Sequence, residues 1–300
     1  MMNYRTDLAM ERTVYSGGLG EGVAVQTQHH GDAEITWVRI QTKSAAERLG
    51  KPEGTYWTMM HPELPCLSPE ARMDVARQVA QMLRIMLPPK GDLLVLGLGN
   101  RRMTADALGD RVVSGILVTR HMQEADEHPD ALRSVCAMSP GVLGVTGVET
   151  AELALGLVEK LKPAGVLVVD ALAAMETSHI GTTIQLTDTG IHPGSGVGNH
   201  RMGITRELLN VPVIALGIPL VVYATTIVRD ALKQILASEK SDDEAHEMAE
   251  HLTGQAHTDL VVTPRNIDEL VAGLADMLAL AVNSALQPAL SLDDLARYLH

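Results

Sequence analysis

The chain has 300 residues, 46% of them hydrophobic and 20% charged, a composition that predicts a folded globular protein and excludes a disordered one. Aromatic residues make up 2% of the chain and the net charge is −13, which argues against a nucleic-acid-binding surface. The two cysteines lack metal-type spacing, and no apolar run reaches the ~18 residues of a membrane helix. We therefore expect an intracellular, cytoplasmic protein with reduced thiols, bound to neither membrane nor nucleic acid.

The first part of the chain is polar and then becomes alternating. Residues 1–30 are rich in glycine and predict an extended arm, whereas residues 34–41 alternate apolar and polar side chains, as in a half-buried strand. Ser68 and Pro69 form a typical helix start, and Pro88 ends the apolar helical pattern that follows.

Residues 92–110, with the sequence DLLVLGLGNRRMTADALGD, carry the first candidate site. An apolar strand stops at a Gly-Leu-Gly-Asn turn, and a helix is predicted from Thr104 with Asp106 in its first turn. In open α/β sheets, ligands bind beyond the carboxyl ends of parallel strands. Asp106 therefore lies where chemistry is expected, although an acid in a first turn also serves simply to cap the helix. A short strand is predicted at 116–118.

A second carboxylate follows a second apolar run. Thr146 and Glu149 form a capping-box pattern before a helix predicted at 148–161, and residues 165–170 (GVLVVD) then read as a buried parallel strand that ends in Asp170. Both aspartates should consequently lie at the carboxyl edge of one sheet.

The remainder continues the α/β pattern. Residues 188–199 (DTGIHPGSGVGN) contain too many glycines for a helix and predict a loop that presents backbone amides. Residues 241–250 are acidic and predict a solvated linker. Strands are predicted at 182–187 and 211–217, and helices at 220–236, 267–286 and 291–298.

Several common catalytic motifs are absent or incomplete. The turn after the first strand lacks the third glycine of a dinucleotide-binding motif, because Arg102 stands there, and no phosphate-binding P-loop occurs. Ser195 has the wrong neighbours for a serine-hydrolase elbow. Cys136 is better explained as a structural thiol than as a nucleophile.

The two aspartates leave three interpretations open. Carboxylates held close together cannot both ionise at low cost, so one keeps a proton and the pair can activate water and protonate a leaving amine. Alternatively, Asp106, Asp170 and His192 could hold a divalent metal. The third interpretation is two unconnected capping residues.

Four segments, GLGNRRMTADALGD, SPGVLGVTGVET, VVDALAA and TTIQLTDTGIHPGSGVGN, resemble in order and spacing the germination proteases of spore-forming bacteria. The resemblance extends over residues 5–288. It implies an endopeptidase of small acid-soluble spore proteins, located in the forespore or spore core. It also implies an α/β, phosphorylase/hydrolase-like three-layer fold akin to hydrogenase-maturation peptidases, with a mainly parallel central sheet and helices on both faces, a homotetramer, and a zymogen that processes itself without a cofactor.

The resemblance also assigns residues. It maps the two catalytic aspartates of the family onto Asp106 and Asp170, and the processing site onto Asp7 and Leu8, so that residues 1–7 are a propeptide and residues 8–300 one peptidase domain. Arg101, Arg102, Met103, Ala105 and Asp110 depart from the usual family pattern, which bears on loop shape and substrate preference. A non-catalytic binding module on the same fold is the remaining alternative. The substrate-binding or loop candidates are Asn100, Thr182, Thr183, Asp188, His192, Gly194, Ser195 and Gly196.

Overall fold

One mixed β-sheet organises the part of the chain that the structure describes. The computed structural model describes residues 6–15, 20–124, 132–194, 201–236, 242–257 and 260–296. The strands are β1 (Val23–His30), β2 (Ala33–Ile40), β3 (Gly54–Met60), β4 (Leu93–Gly97), β5 (Val135–Met138), β6 (Gly165–Ala174), β7 (Thr183–Thr187), β8 (Val213–Tyr223) and β9 (Val261–Val262).

The strand order is β1-β2-β3-β7-β8-β6-β4-β5, with β9 added to β8. Strands β8, β6, β4 and β5 are parallel neighbours, whereas β1, β2, β3, β7 and β8 pair antiparallel. The prediction of a mainly parallel sheet was therefore wrong. The α/β class is confirmed, but more than half of the strand pairs are antiparallel, and the apolar runs of the sequence do not distinguish such strands from parallel ones.

Helices cover both faces of this sheet. On one face, α3, α4 and α10 bury the larger apolar cluster, and on the other face α6 and α7 cover a second cluster of the parallel strands while α1 and α2 cover β2 and β3. The helices are α1 (Ala9–Tyr15), α2 (Lys43–Leu49), α3 (Pro69–Met86), α4 (Leu108–Ser114), α5 (Leu143–Thr146), α6 (Thr150–Leu161), α7 (Arg206–Leu209), α8 (Ala224–Leu236), α9 (Asp242–His257), α10 (Ile267–Leu286) and α11 (Leu292–Ala296).

Local sequence signals explain α3 well. Ser68 is its N-cap and accepts a hydrogen bond from the Ala71 N–H at 3.3 Å, with Pro69 in the first turn. Val75, Val79 and other apolar residues at helical spacing are buried against the sheet. The predicted start and buried face of this helix are confirmed.

Four local predictions were wrong because tertiary contacts override local composition. The predicted N-terminal arm contains α1 and β1, and the predicted acidic linker forms α9. Residues 116–118 form no strand; the edge position beside β4 is taken by β5 instead. Thr146 ends α5 and Glu149 is the N-cap of α6 without a side-chain bond, so they form no capping box.

Helix α10 is long and apolar enough to span a membrane, with a mean hydropathy of 1.5, and is the one such helix in the described residues. Its apolar side chains are nevertheless buried in the larger core cluster, where it packs against α3 and α4. It is thus accounted for as a core helix.

Candidate active site

The first candidate aspartate lies in a tightly closed turn after β4. Asp106 ends a short 3-10 turn, Thr104–Asp106, and precedes α4 rather than lying in its first turn as predicted. Its Oδ2 accepts a hydrogen bond from the Asn100 N–H at 2.8 Å. Gly99 has a φ of +103°, and a Cβ there would lie 1.9 Å from the Asp106 carbonyl oxygen. The glycine turn therefore holds the Asp106 backbone and carboxylate in place.

The second candidate aspartate lies within β6, not at its end. Asp170 is 6% exposed, and its Oδ1 accepts a hydrogen bond from the Ala171 N–H at 2.9 Å. Strand β6 continues to Ala174 because β8 accompanies it, whereas its other neighbour β4 stops beside Val169. Asp170 therefore lies next to the point where the chain leaves β4 towards Asp106.

The two carboxylates line the same cleft, whose volume is about 360 Å³. Burial raises the pKa of Asp170 well above its usual value, and the negative charges of Asp106 and Asp7 raise this pKa further. Burial also raises the pKa of Asp106, while the Asn100 N–H and the positive charge of Arg201 oppose the rise. Asp170 is consequently the group that holds a proton more firmly, and Asp106 is the one that ionises more readily.

The raised pKa of Asp170 predicts how the stability of the protein depends on pH. A carboxyl whose pKa is higher in the folded state than in the unfolded state costs no stability while it is protonated in both states, below the unfolded pKa of about 3.9. The free energy of unfolding then falls as pH rises towards the folded pKa, because the folded state must keep a proton that the unfolded state releases. Asp170→Asn, which cannot ionise, should raise Tm at neutral pH, with a shift of roughly 2–4 °C for each kcal/mol gained. Thermal unfolding from pH ~4 to ~8 should show this gain shrinking towards the acidic end, and a gain independent of pH would contradict the assignment.

The N-terminal segment lies beside β6 and places Asp7 in this cleft. The Asp7 N–H donates to the Ala173 carbonyl at 2.9 Å, and the Ala173 N–H donates to Asp7 Oδ2 at 2.9 Å. Leu8 is fully buried against Leu172, Ala174 and Val222. Asp7 also lines the cleft of the two aspartates. The predicted processing site is therefore seated beside Asp106 and Asp170.

A buried carboxylate on α1 fixes this segment. Glu11 accepts hydrogen bonds from the backbone N–H groups of Met175 and Glu176, at 2.9 to 3.0 Å, and from the Thr6 hydroxyl, and its Oε1 lies 2.6 Å from His179 Nδ1. Because unpaired buried carboxylates are strongly destabilising, the three partners that follow β6 tie α1 to that loop, and Thr6 ties α1 to the segment before it.

The other predicted site residues are divided between several places. Gly194 lines the cleft, and Asn100 supports Asp106 through its backbone. Asp188 instead accepts a hydrogen bond from the Thr55 N–H at 2.8 Å and lines a separate groove. Thr182 and Thr183 do not line the cleft: the Thr182 hydroxyl donates to the Ser178 carbonyl, and Thr183 is fully buried in β7. Ser195 and Gly196 lie outside the described residues.

The alternative metal site is not assembled in the described structure. Asp106, Asp170 and His192 all lie in described segments, yet no group of three or more His, Cys, Asp or Glu side chains there is placed to hold a metal ion. His192 lines a neighbouring pocket, packs against Gly203, and has a pKa lowered by burial and by the charge of Lys51. His192 therefore does not line the cleft of the two carboxylates.

Three polar residues near the site were missed from the sequence. Lys51 and Gln185 both contact the N-terminal segment, and Arg201 lines the cleft. Lys51 follows α2 and Gln185 lies in the middle of β7, a strand in which all five residues are buried. A glutamine in an otherwise buried strand was the one available signal for Gln185, since buried polar groups require partners.

The family model for germination protease matches residues 9–253. The chain belongs to the germination protease family. It is 40% identical to the germination protease of Caldanaerobacter subterraneus subsp. tengcongensis over 100% of this chain and 99% of the relative. It is 39% identical to that of Clostridium perfringens over 100% of both chains, and 32% identical to that of Bacillus cytotoxicus over 99% of this chain and 97% of the relative.

Family membership makes this chain a peptidase of spore germination, and it confirms the resemblance noted in the sequence. Among solved structures, the chain is similar to the [NiFe] hydrogenase maturation protease HycI from Thermococcus kodakarensis, at 19% identity, with 67% of this chain and 98% of that chain covered and a TM-score of 0.34.

Proposed function

We propose that the chain is a zymogen that cleaves its own Asp7–Leu8 bond through the carboxyl pair of Asp106 and Asp170. The observation that carries this proposal is that Asp7, Asp106 and Asp170 line one cleft while Leu8 is buried beside it. Residues 1–7 are then the propeptide, and residues 8–300 form a single peptidase domain.

The different pKa shifts of Asp106 and Asp170 support different chemical roles for the two carboxyls. Asp106, the more readily ionised carboxyl, takes a proton from water, and the resulting hydroxide adds to the carbonyl carbon of Asp7. Asp170 holds its proton until the C–N bond breaks and then transfers it to the leaving nitrogen of Leu8. The proton taken up by Asp106 then passes to Asp170, which restores the starting state and completes the cycle without a covalent intermediate.

The seating of the segment also accounts for a preference for an acid followed by an apolar residue. The Asp7 carboxylate accepts a charge-assisted hydrogen bond from the Ala173 N–H, and the Leu8 side chain fills an apolar pocket formed by β6 and β8 residues. A charged residue in the Leu8 position would lose this apolar burial and leave a charge unpaired. Protein substrates bind in the same way once the propeptide has left.

Intact-mass spectrometry of the purified chain tests the proposal. Incubation from mildly acidic to neutral pH should yield a product that begins at Leu8, and the processed protein should then cut a basic peptide containing Glu-Leu-Ala after the glutamate. Asp92–Leu93 is a matched internal control: it is the same residue pair at the start of β4, but neither residue lines the cleft of the two aspartates, so this bond should stay intact. An unchanged mass together with an uncut peptide would refute both the zymogen and the peptidase mechanism.

Membership of the family supports the biological setting that we propose. Small acid-soluble spore proteins are the proposed substrates, and the spore core is the proposed location. The net charge of −13 favours approach of substrate segments that carry lysine and arginine. We also propose a homotetramer, which sedimentation velocity would distinguish from a monomer.

A further inference from the structure

The carbonyl oxygen of Asp7 accepts hydrogen bonds from two side chains on separate elements. Lys51 Nζ donates to this oxygen at 2.9 Å, and Gln185 Nε2 donates to it at 2.9 Å. This is the carbonyl of the bond that the proposed function breaks. A peptide carbonyl ordinarily pairs with a backbone N–H or with water, so two converging side-chain donors call for an explanation.

Both donors are held in position before any reaction. The Gln185 Oε1 accepts a hydrogen bond from the Ala9 N–H at 2.8 Å, which fixes the amide orientation and points Nε2 at Asp7. Strand pairing places Gln185 opposite Gly217, and Gly217 opposite Asp170, so Gln185 and Asp170 lie in one row across the sheet. Gly217 has no side chain between them. The rigid sheet therefore sets the spacing between this donor and the candidate acid.

Lys51 approaches the same oxygen from outside the sheet. It lies just after α2, and its backbone N–H donates to the Ala46 carbonyl at 3.2 Å, so its stem is anchored to the end of the helix. Burial lowers the pKa of Lys51, while the Asp7 carboxylate opposes this change. An ammonium group that has lost hydrating water forms stronger hydrogen bonds to an oxygen that gains negative charge.

We propose that Lys51 and Gln185 form the oxyanion hole of this peptidase. The inference rests on the proposed function and adds two catalytic residues to it. When hydroxide adds to the Asp7 carbonyl carbon, the π-electron pair moves onto the carbonyl oxygen, and both donors stabilise that charge. When this electron pair re-forms the C=O bond, the C–N bond breaks and the Leu8 nitrogen takes its proton from Asp170. Protein substrates present their scissile carbonyl to the same two donors.

The alternative is that both residues only anchor the propeptide. Self-processing of the full chain separates the two roles, because it is an intramolecular, single-turnover reaction whose rate does not depend on protein concentration. The variants are Lys51→Met, Gln185→Glu, which keeps the acceptor for the Ala9 N–H, and Lys51→Arg, which keeps the charge. Exposed residues nearby, Lys43→Met and Gln41→Glu, are the matched controls.

Two readouts are needed: the rate of appearance of the Leu8 terminus by intact mass, and hydrogen exchange at the amides of residues 7–9. We expect Lys51→Met and Gln185→Glu each to slow processing by about 100-fold, with the segment still protected from exchange. Lys51→Arg should recover part of the rate, and both controls should process like the wild type.

Each other outcome has a defined meaning. Wild-type rates in Lys51→Met and Gln185→Glu overturn the oxyanion hole while the aspartate pair stands, provided that Asp170→Asn is uncut. Slow cutting with rapid exchange at residues 7–9 in both variants also overturns it, since that result marks an anchoring role. If the wild type itself is never cut, the proposed function has failed and the inference fails with it.

Discussion

Asp170→Asn is expected to reduce self-processing and peptide cleavage by about 10⁴-fold or more, because it removes the proton that the leaving nitrogen requires. Asparagine is nearly isosteric with aspartate, so the side chain stays buried in β6 and its Oδ1 still accepts the hydrogen bond from the Ala171 N–H. Asp106→Asn should have a similar effect because Asn cannot accept the proton of the attacking water. The measurement is the initial rate of both reactions.

Asp110→Asn is the matched control for this pair. Asp110 lies one turn further on in α4 and does not line the cleft, so its variant should retain the wild-type rate. Because Asp170→Asn should also be the more thermostable protein at neutral pH, its inactivity is not explained by unfolding. Cleavage at the wild-type rate in either aspartate variant would refute the carboxyl-pair mechanism.

Gly109→Ala is expected to destabilise the fold by more than about 3 kcal/mol, near the upper range for overpacking. A Cβ at Gly109 would lie 2.4 Å from the Leu98 N and from the Val169 carbonyl oxygen, and 2.5 Å from the Leu98 carbonyl oxygen. All three atoms belong to backbone in or beside the central sheet, so none can move aside. Since α4 begins directly after Asp106, the displacement should also lower activity in any protein that folds.

Gly156→Ala is the same substitution at a position where we expect it to raise, not lower, the free energy of unfolding. Gly156 lies on the exposed side of α6, and a Cβ there meets nothing within 4 Å. Alanine should therefore stabilise the chain by roughly 0.5–1 kcal/mol through helix propensity alone. Chemical denaturation of both variants is the measurement, and equal free energies of unfolding would show that the close contact at Gly109 carries no energetic weight.

Much of the local structure was predictable because it depends on neighbours in sequence. The apolar runs of β4 and β6, the Ser68 cap of α3 and the bounds of α10 follow from strand and helix periodicity, and each is confirmed. The helix at 220–236 was predicted too early because β8 continues to Tyr223, where an apolar run fits a buried strand and a buried helix equally well.

In the candidate site, too, some residues were predictable from the local sequence and others were not. Asp106 and Asp170 could be found from the sequence, because each follows or ends an apolar run and because the glycine-rich segments resemble one family. The meeting of Lys51 and Gln185 could not, since their common partner, the Asp7 carbonyl, is 44 and 178 residues away in the chain. Contacts across such separations leave no periodic signal.

By itself, then, the sequence determined the family and the α/β class, and it singled out the two candidate carboxyls. The tertiary structure alone decided the antiparallel part of the sheet and the seating of Asp7 in the cleft with Leu8 buried beside it. The physical reason is that strand order and segment docking are set by the sum of many long-range contacts, each of which is small and none of which is encoded in a local pattern.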